Sequence, residues 1–158
     1  MVERTLALIK PDAVSLNLEQ VIRKRLEGAG FKILQARREQ LTRDEAMEFY
    51  RIHAGKPFYA SLVEFMSSGS IVVLLLEKEN AIRDLREVIG STDPKKAGKG
   101  TIRADYASSV EKNAIHASDS PETAREEISF FFSKLEALRL SRSFPDRIHN
   151  LDKTIEQV

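Results

Sequence analysis

The segment Asn113-Ala114-Ile115-His116-Ala117-Ser118-Asp119-Ser120-Pro121-Glu122 sets one histidine between a short apolar run and a strongly signalled helix start. Ser120 or Asp119 can cap that helix, Pro121 suits its first position, and Glu122 favours its positive end. An imidazole held at such a junction, beside serine and carboxylate hydrogen-bond partners, can serve as a nucleophile or a proton carrier. It then needs a substrate. Lys10-Pro11-Asp12 reads either as a turn, which proline and aspartate favour, or as a phosphate-pairing lysine at the end of a buried strand. Arg86, Thr92 and Arg103 lie in or beside a segment bracketed by Gly90-Ser91-Thr92-Asp93-Pro94 and Gly100-Thr101-Ile102-Arg103. They are either solvated surface groups or guanidinium forks and a hydroxyl suited to phosphate oxygens.

No G-x-x-x-x-G-K-[ST] loop is present. Gly98-Lys99-Gly100-Thr101 lacks the first glycine at the required spacing, and no following helix is expected, so any nucleotide binds by another route. Phe58 and Leu62 have the helical spacing of core residues and could equally wall a base-stacking slot. Tyr50 reads as a helix end and Glu127 as a surface charge. His53 and His149 have no partners at metal-ligand spacing and receive no role.

These residues must be positioned by a chain of 158 residues, which suits one domain with a substantial core. Its 25 basic and 24 acidic side chains nearly cancel, so an anion site must be local rather than part of a global field. The absence of cysteine removes disulfides, thiolate catalysis and sulfur-ligated metals, and fits a reducing compartment. The longest apolar run, Ile71 to Leu76, is too short to span a bilayer, and the amino terminus lacks a signal-peptide pattern. The expectation is a cytoplasmic protein without a membrane partner.

Strands are expected at Thr5–Ile9, Phe31–Arg37, Ile71–Leu76 and near Ala114-Ile115. Helices are expected over Asn17–Gly28, from a capping box at Thr42-Arg43-Asp44-Glu45 to Tyr50, over Phe58–Met66, over Asn80–Ile89 and over Pro121–Phe132. Gly90 to Lys112 lacks periodicity, and loops of that length in compact domains are usually functional or disordered. The element order predicts an α/β ferredoxin-like split βαβ sandwich, a four-stranded antiparallel sheet with helices packed on it. Residues 1–133 form the expected domain, and 134–158 an extension packed on or exchanged between subunits.

Taken together, the chain resembles the nucleoside diphosphate kinase family. The landmarks are Glu3-Arg4-Thr5, Ile9-Lys10-Pro11-Asp12, Lys56-Pro57-Phe58-Tyr59 and Phe65-Met66-Ser67-Ser68-Gly69. They continue at Ile89-Gly90-Ser91-Thr92-Asp93-Pro94 and Gly100-Thr101-Ile102-Arg103-Ala104-Asp105, and end at Asn113 to Ser120. The resemblance implies ping-pong transfer of a γ-phosphoryl group between nucleoside tri- and diphosphates, with His116 as the transiently phosphorylated nucleophile. It implies that Glu127 orients the imidazole, with Ser118 and Tyr50 as polar neighbours. It further implies that Lys10, Arg86, Thr92, Arg103 and Asn113 hold phosphates and ribose, and that Phe58, Leu62 and Val110 form the base slot. The implied cofactor is Mg²⁺, held mainly by the nucleotide phosphates with no direct protein ligand. The implied partners are nucleotides and further copies of the chain, as a tetramer or hexamer. No obligate nucleic-acid partner is expected, because the strands are aliphatic and the charge balanced. The rival reading is a nucleotide-binding regulatory paralogue with little turnover.

Three departures stand out. Ala117 occupies a position where many relatives carry glycine. Ser15-Leu16-Asn17-Leu18 replaces a glycine-containing turn, and the tail beyond about Phe132 exceeds the usual short ending.

Overall fold

The computed structural model describes residues 1–143. The remainder of the expected extension, 144–158, and with it His149, lies outside the described residues. Two strands form the centre of the sheet: β1 (Val2–Ile9) and β3 (Ile71–Glu79), paired antiparallel with Leu8 opposite Val73. Because side chains alternate along a strand, Leu6 and Leu8 face one side, and Ala7 and Ile9 the other. Both sides are covered, which is why these strands read as continuous apolar runs. β2 (Lys32–Glu39) and β4 (Ile115–Ala117) flank them, giving the antiparallel order β2-β3-β1-β4 of a ferredoxin-like split βαβ sandwich.

On the Ala7 and Ile9 side lie α1 (Pro11–Ser15), α2 (Glu19–Gly28), α5 (Ala81–Ile89) and α6 (Ile102–Tyr106). They bury Ile22, Leu26, Leu85 and Ile102 against Val72, Leu74 and Leu76. The Leu6 and Leu8 side is covered by α3 (Arg43–Phe49), α4 (Tyr59–Ser67) and the carboxyl-terminal helices. There Ala46, Val63, Met66, Phe130, Phe131 and Leu135 pack on Ile71 and Val73.

Four local features differ from expectation. Lys10-Pro11-Asp12 is no mere turn, since Pro11 opens α1, a helix of five residues too short to show a period. The aperiodic stretch after Gly90 contains α6, capped by the Thr101 side chain on the Ala104 N–H, so a short helix does follow Gly98-Lys99-Gly100-Thr101. The last strand begins at Ile115 and includes His116, so the histidine sits in the sheet and not at its exit. Finally, α7 (Pro121–Ser129) passes through a π-turn at Phe130–Lys134 into α8 (Leu135–Ser143). That turn sends Phe130 and Phe131 into the core.

α8 is stapled to α3. Thr42 and Glu45 form the reciprocal capping box expected from their spacing. The Glu45 carboxylate, almost wholly buried, also receives Arg139 at 3.2 Å and Arg142, while Arg139 reaches Glu39 at 2.8 Å. Burial alone would raise the Glu45 pKa. Hydrogen bonds from Arg139, Arg142 and the Thr42 N–H outweigh it and hold the carboxyl at about 2. A depressed carboxylate stabilises the fold above its unfolded value near 4.5, and that contribution fades as pH falls toward 2. Replacing Arg139 and Arg142 by alanine is expected to cost about 3 kcal/mol at pH 7, the scale of breaking a buried ion pair. Urea denaturation should show the gap from wild type narrowing between pH 5 and pH 2; a gap independent of pH would contradict the staple.

Candidate active site

β4 is three residues long and pairs Ile115, His116 and Ala117 with Ile9, Leu8 and Ala7. Opposed residues in an antiparallel pair share a face, so His116 projects with Leu8 toward α3 and α7. There its ring meets the edges of Phe49 and Tyr50, with centroids 5.7 and 6.2 Å away. The chain then turns sharply at Ser120, whose hydroxyl accepts from the Thr123 N–H in a second capping box, with Pro121 opening α7. This turn folds Glu127 back over the strand. His116 Nε2 lies 2.8 Å from Glu127 Oε1, and the buried Ser118 hydroxyl donates to the same oxygen at 2.8 Å.

Glu127 decides the state of the ring. Burial pushes its carboxyl up, but the neighbouring His116 and the hydrogen bonds from His116 and Ser118 outweigh this and keep it below the usual range. A carboxylate only accepts, so Nε2–H donates, and the lone pair of the neutral imidazole resides on Nδ1. Nδ1 has no hydrogen-bond partner among the described residues. The tautomer is thus fixed by the acid behind the ring.

His116 lines a cavity of about 1240 Å³. Lys10, Tyr50, Phe58, Leu62, Arg86, Thr92, Arg103, Val110 and Asn113 all contribute to its wall, whereas Ser118 and Glu127 stand behind the histidine. Lys10 follows β1 directly and is pinned there by its N–H to the Ala114 carbonyl at 2.9 Å. Burial, and secondarily Arg103, lower its pKa to about 8, against the opposing pull of Asp12 and Glu111. Arg103 projects from α6 and donates to the Gly90 and Ile115 carbonyls at 3.0 and 2.7 Å. Burial and then Arg86 lower it to about 10. Asn113 donates to the Thr92 carbonyl at 3.2 Å, coupling the two ends of the long loop.

Gly90 makes that crossing possible. Its φ is +94°, and an added Cβ would come 2.5 Å from Thr101 Oγ1, so only glycine fits between α5 and the cap of α6. On the same cavity wall, Phe58 and Val110 are half exposed, forming an apolar mouth. Three polar atoms at the cavity residues are buried without a partner among the described residues: the Tyr50 hydroxyl, Arg103 Nε and Asn113 Oδ1. Burial, then the charge of Glu127, raises the Tyr50 phenol, so it stays a neutral donor. A tautomer-locked imidazole therefore shares one cavity with cationic and apolar side chains. Such a site accommodates an anionic ligand with a flat apolar portion.

The nucleoside diphosphate kinase family model matches residues 3–137. A relative of that description from Burkholderia multivorans is 54% identical over 134 residues, covering 85% of this chain and 95% of its own. One from Burkholderia thailandensis is 55% identical over 133 residues, with coverages of 84% and 94%. This chain belongs to the nucleoside diphosphate kinase family. Its activity is that of a phosphotransferase acting on nucleotides. The Aquifex aeolicus nucleoside diphosphate kinase superposes with a TM-score of 0.82 at 47% identity, covering 86% of this chain and 99% of that one. A halophilic nucleoside diphosphate kinase from Halobacterium salinarum, solved in complex with CDP, gives 0.81 at 36% identity, with coverages of 84% and 89%. Among the described residues no helix is long and apolar enough to cross a membrane.

Two departures from the family pattern now have physical readings. Asn17 takes a φ of +60° in the turn after α1, the left-handed region that asparagine tolerates better than other side chains. Ala117 keeps ordinary strand geometry opposite Ala7, so no positive φ demands glycine there. Several cavity residues escaped sequence reasoning, including His53, Glu111 and Asp119. No spacing signal connects them, because they come from the turn after α3, the segment before β4 and the turn before α7.

Asp12 also escaped it. Its Oδ2 accepts the Ala114 N–H at 3.1 Å, and Ala114 has a φ of +73° two residues before His116. A left-handed alanine costs about 1–2 kcal/mol, so Asp12 and the Lys10 N–H together hold a strained residue in place. Asp12→Ala is expected to lower nucleoside diphosphate kinase turnover about tenfold, the scale of a small displacement of a reacting group. Adding Ala114→Gly should restore most of it, because glycine adopts the same geometry without strain. Steady-state rates of the single and double variants check this; a double variant no faster than Asp12→Ala would contradict it.

Proposed function

We propose that His116 Nδ1 is the nucleophile of a ping-pong phosphoryl transfer. The lone pair of Nδ1 attacks the γ-phosphorus of a nucleoside triphosphate; a P–N bond forms, the P–O bond to the β-phosphate breaks, and the diphosphate leaves with the electron pair. An acceptor diphosphate then attacks the phosphohistidine through a terminal β-oxygen; a new P–O bond forms as the P–N bond breaks, and the electron pair returns to Nδ1 of the neutral imidazole. The observation that carries this reading is the 2.8 Å contact of His116 Nε2 with Glu127, which leaves Nδ1 free on the wall of a basic cavity. Glu127 also stabilises positive charge on the ring as the P–N bond forms, and Ser118 holds Glu127.

Lys10, Arg86 and Arg103 neutralise the phosphate oxygens, with the Thr92 hydroxyl, and Asn113 holds the ribose or phosphates. Tyr50 offers its buried hydroxyl beside the reacting ring. Phosphoryl transfer depends mainly on such positioning and charge. Phe58, Leu62 and Val110 hold the base by stacking and apolar contact, which discriminates weakly among purines and pyrimidines. Mg²⁺ is the cofactor in this reading. It would be held mainly by the nucleotide phosphates with no direct protein ligand, since among the described residues no group of three or more acidic or histidine side chains could hold the ion alone. When bound it supplies charge neutralisation across the phosphate oxygens.

The same reading includes a homo-oligomer, tetrameric or hexameric, in the cytoplasm. The outer edge of β2 and the exposed Leu16 and Val21 support self-association. Leu135 in the core and Arg139 on Glu45 support an extension that is packed at least as far as α8.

Incubation with γ-labelled ATP and Mg²⁺ should give an acid-labile, base-stable phosphoprotein that ADP or GDP discharges. His116→Ala should not label. Absence of labelled wild type, or labelling of His116→Ala, would overturn the reading.

A further inference from the structure

The cavity's apolar mouth is built from two separate pieces of chain. Phe58 and Leu62 belong to the start of α4, and Val110 to the bend before β4. That bend is tightly closed on itself. Ser108 N–H donates to the Lys112 carbonyl at 2.9 Å, and Lys112 N–H to the Ser109 hydroxyl at 2.9 Å. Val110 and Glu111 thus form the tip of a small rigid loop whose placement depends on what its tip touches. Glu111 makes two long-range hydrogen bonds among the described residues. Its carbonyl accepts from Lys10 Nζ at 3.4 Å, and its carboxylate accepts from the Ser61 hydroxyl of α4 at 2.7 Å, across 50 residues of sequence.

These two contacts fare differently when phosphate enters. Lys10 is buried and lined up on the cavity, so phosphate oxygens compete for its ammonium and outmatch a single carbonyl at 3.4 Å. The Ser61 bond involves no group that phosphate would claim. It directly joins the residue after Val110 to the residue before Leu62, so it links the two walls between which the base is to lie. We propose that Ser61 and Glu111 are positioning residues that tie α4 to the Val110 loop and set the width of the base slot. This rests on reading Phe58, Leu62 and Val110 as that slot. The tie acts on the base-bearing part of the ligand alone. It predicts weaker binding of every nucleotide without regard to base, unchanged binding of the phosphates alone, and an unchanged rate at saturation.

The test is calorimetric binding of ADP and of inorganic pyrophosphate to the full chain, with turnover at saturating nucleotide. Ser61→Ala and Glu111→Ala are each expected to weaken ADP binding about three- to tenfold, the size of one hydrogen bond to a charged group at an exposed site. In Ser61→Ala, pyrophosphate affinity and saturated turnover should stay within about twofold, whereas Glu111→Ala, which also removes a negative charge near Lys10, should not weaken pyrophosphate. Ser61→Thr, which keeps the hydroxyl, should bind ADP as wild type does, and the double variant should be no weaker than the weaker single one. Phe58→Ala serves as the control for the slot. If it weakens ADP binding while Ser61→Ala and Glu111→Ala do not, the tie is refuted and the slot stands. If Phe58→Ala also leaves ADP affinity unchanged, the slot reading itself fails. Equal losses for ADP and pyrophosphate in Ser61→Ala would likewise overturn the proposal.

Discussion

The pairing of Leu8 with His116 is the contact on which the rest of the site depends, although β4 contributes only three residues to the sheet. A shift of one residue would turn His116 to the α2 and α5 side and present Ile115 to the cavity instead. So short a strand cannot fix its register by its own ladder. Anchors at both ends do so: Asp12 and the Lys10 N–H grip Ala114 before it, and the Ser118 N–H reaches the Leu6 carbonyl at 3.2 Å after it. One of those anchors is the backbone of Lys10. The ammonium expected to meet phosphate and the imidazole expected to attack it are therefore carried on neighbouring strands at one end of the sheet.

The cations of the cavity are crowded, and this follows from the same placement. Lys10 lies buried near Arg103, and Arg103 lies near Arg86, so burial and a neighbouring positive charge disfavour the charged forms of Lys10 and Arg103. A polyanion entering this end relieves the repulsion and replaces lost solvation. Behind His116 the charge is of opposite sign, with the Glu127 carboxyl held below its usual range by its neighbours. The ring thus stands between an acid that fixes its tautomer and a basic cavity.

What could be read from the chain alone followed local rules. The apolar runs of β1 and β3, the Thr42 and Ser120 caps, Pro121 and the amphipathic α5 all obey short-range patterns. α1 and α6 were illegible because five residues carry barely more than one helical turn. The π-turn at Phe130–Lys134 left no mark on an otherwise helical pattern, yet it directs α8 and its arginines onto Glu45. Glu127 looked like a surface charge since its partner lies eleven residues back, beyond a strand-to-helix turn. Asp12 with Ala114 and Ser61 with Glu111 meet over 102 and 50 residues, where no periodicity reaches. Resemblance to the family, not spacing, chose between the readings left open for Lys10, Arg86, Thr92, Arg103, Phe58 and Leu62, and added Asn113 and Val110.

The account turns on which ring nitrogen receives the phosphoryl group. Phosphorylating the protein carrying ¹⁵N-labelled histidine with ATP, then measuring ³¹P–¹⁵N coupling under alkaline conditions, addresses this directly. The 2.8 Å bond from Nε2 to Glu127 predicts phosphate on Nδ1 of His116 alone. Phosphate on Nε2 would contradict it.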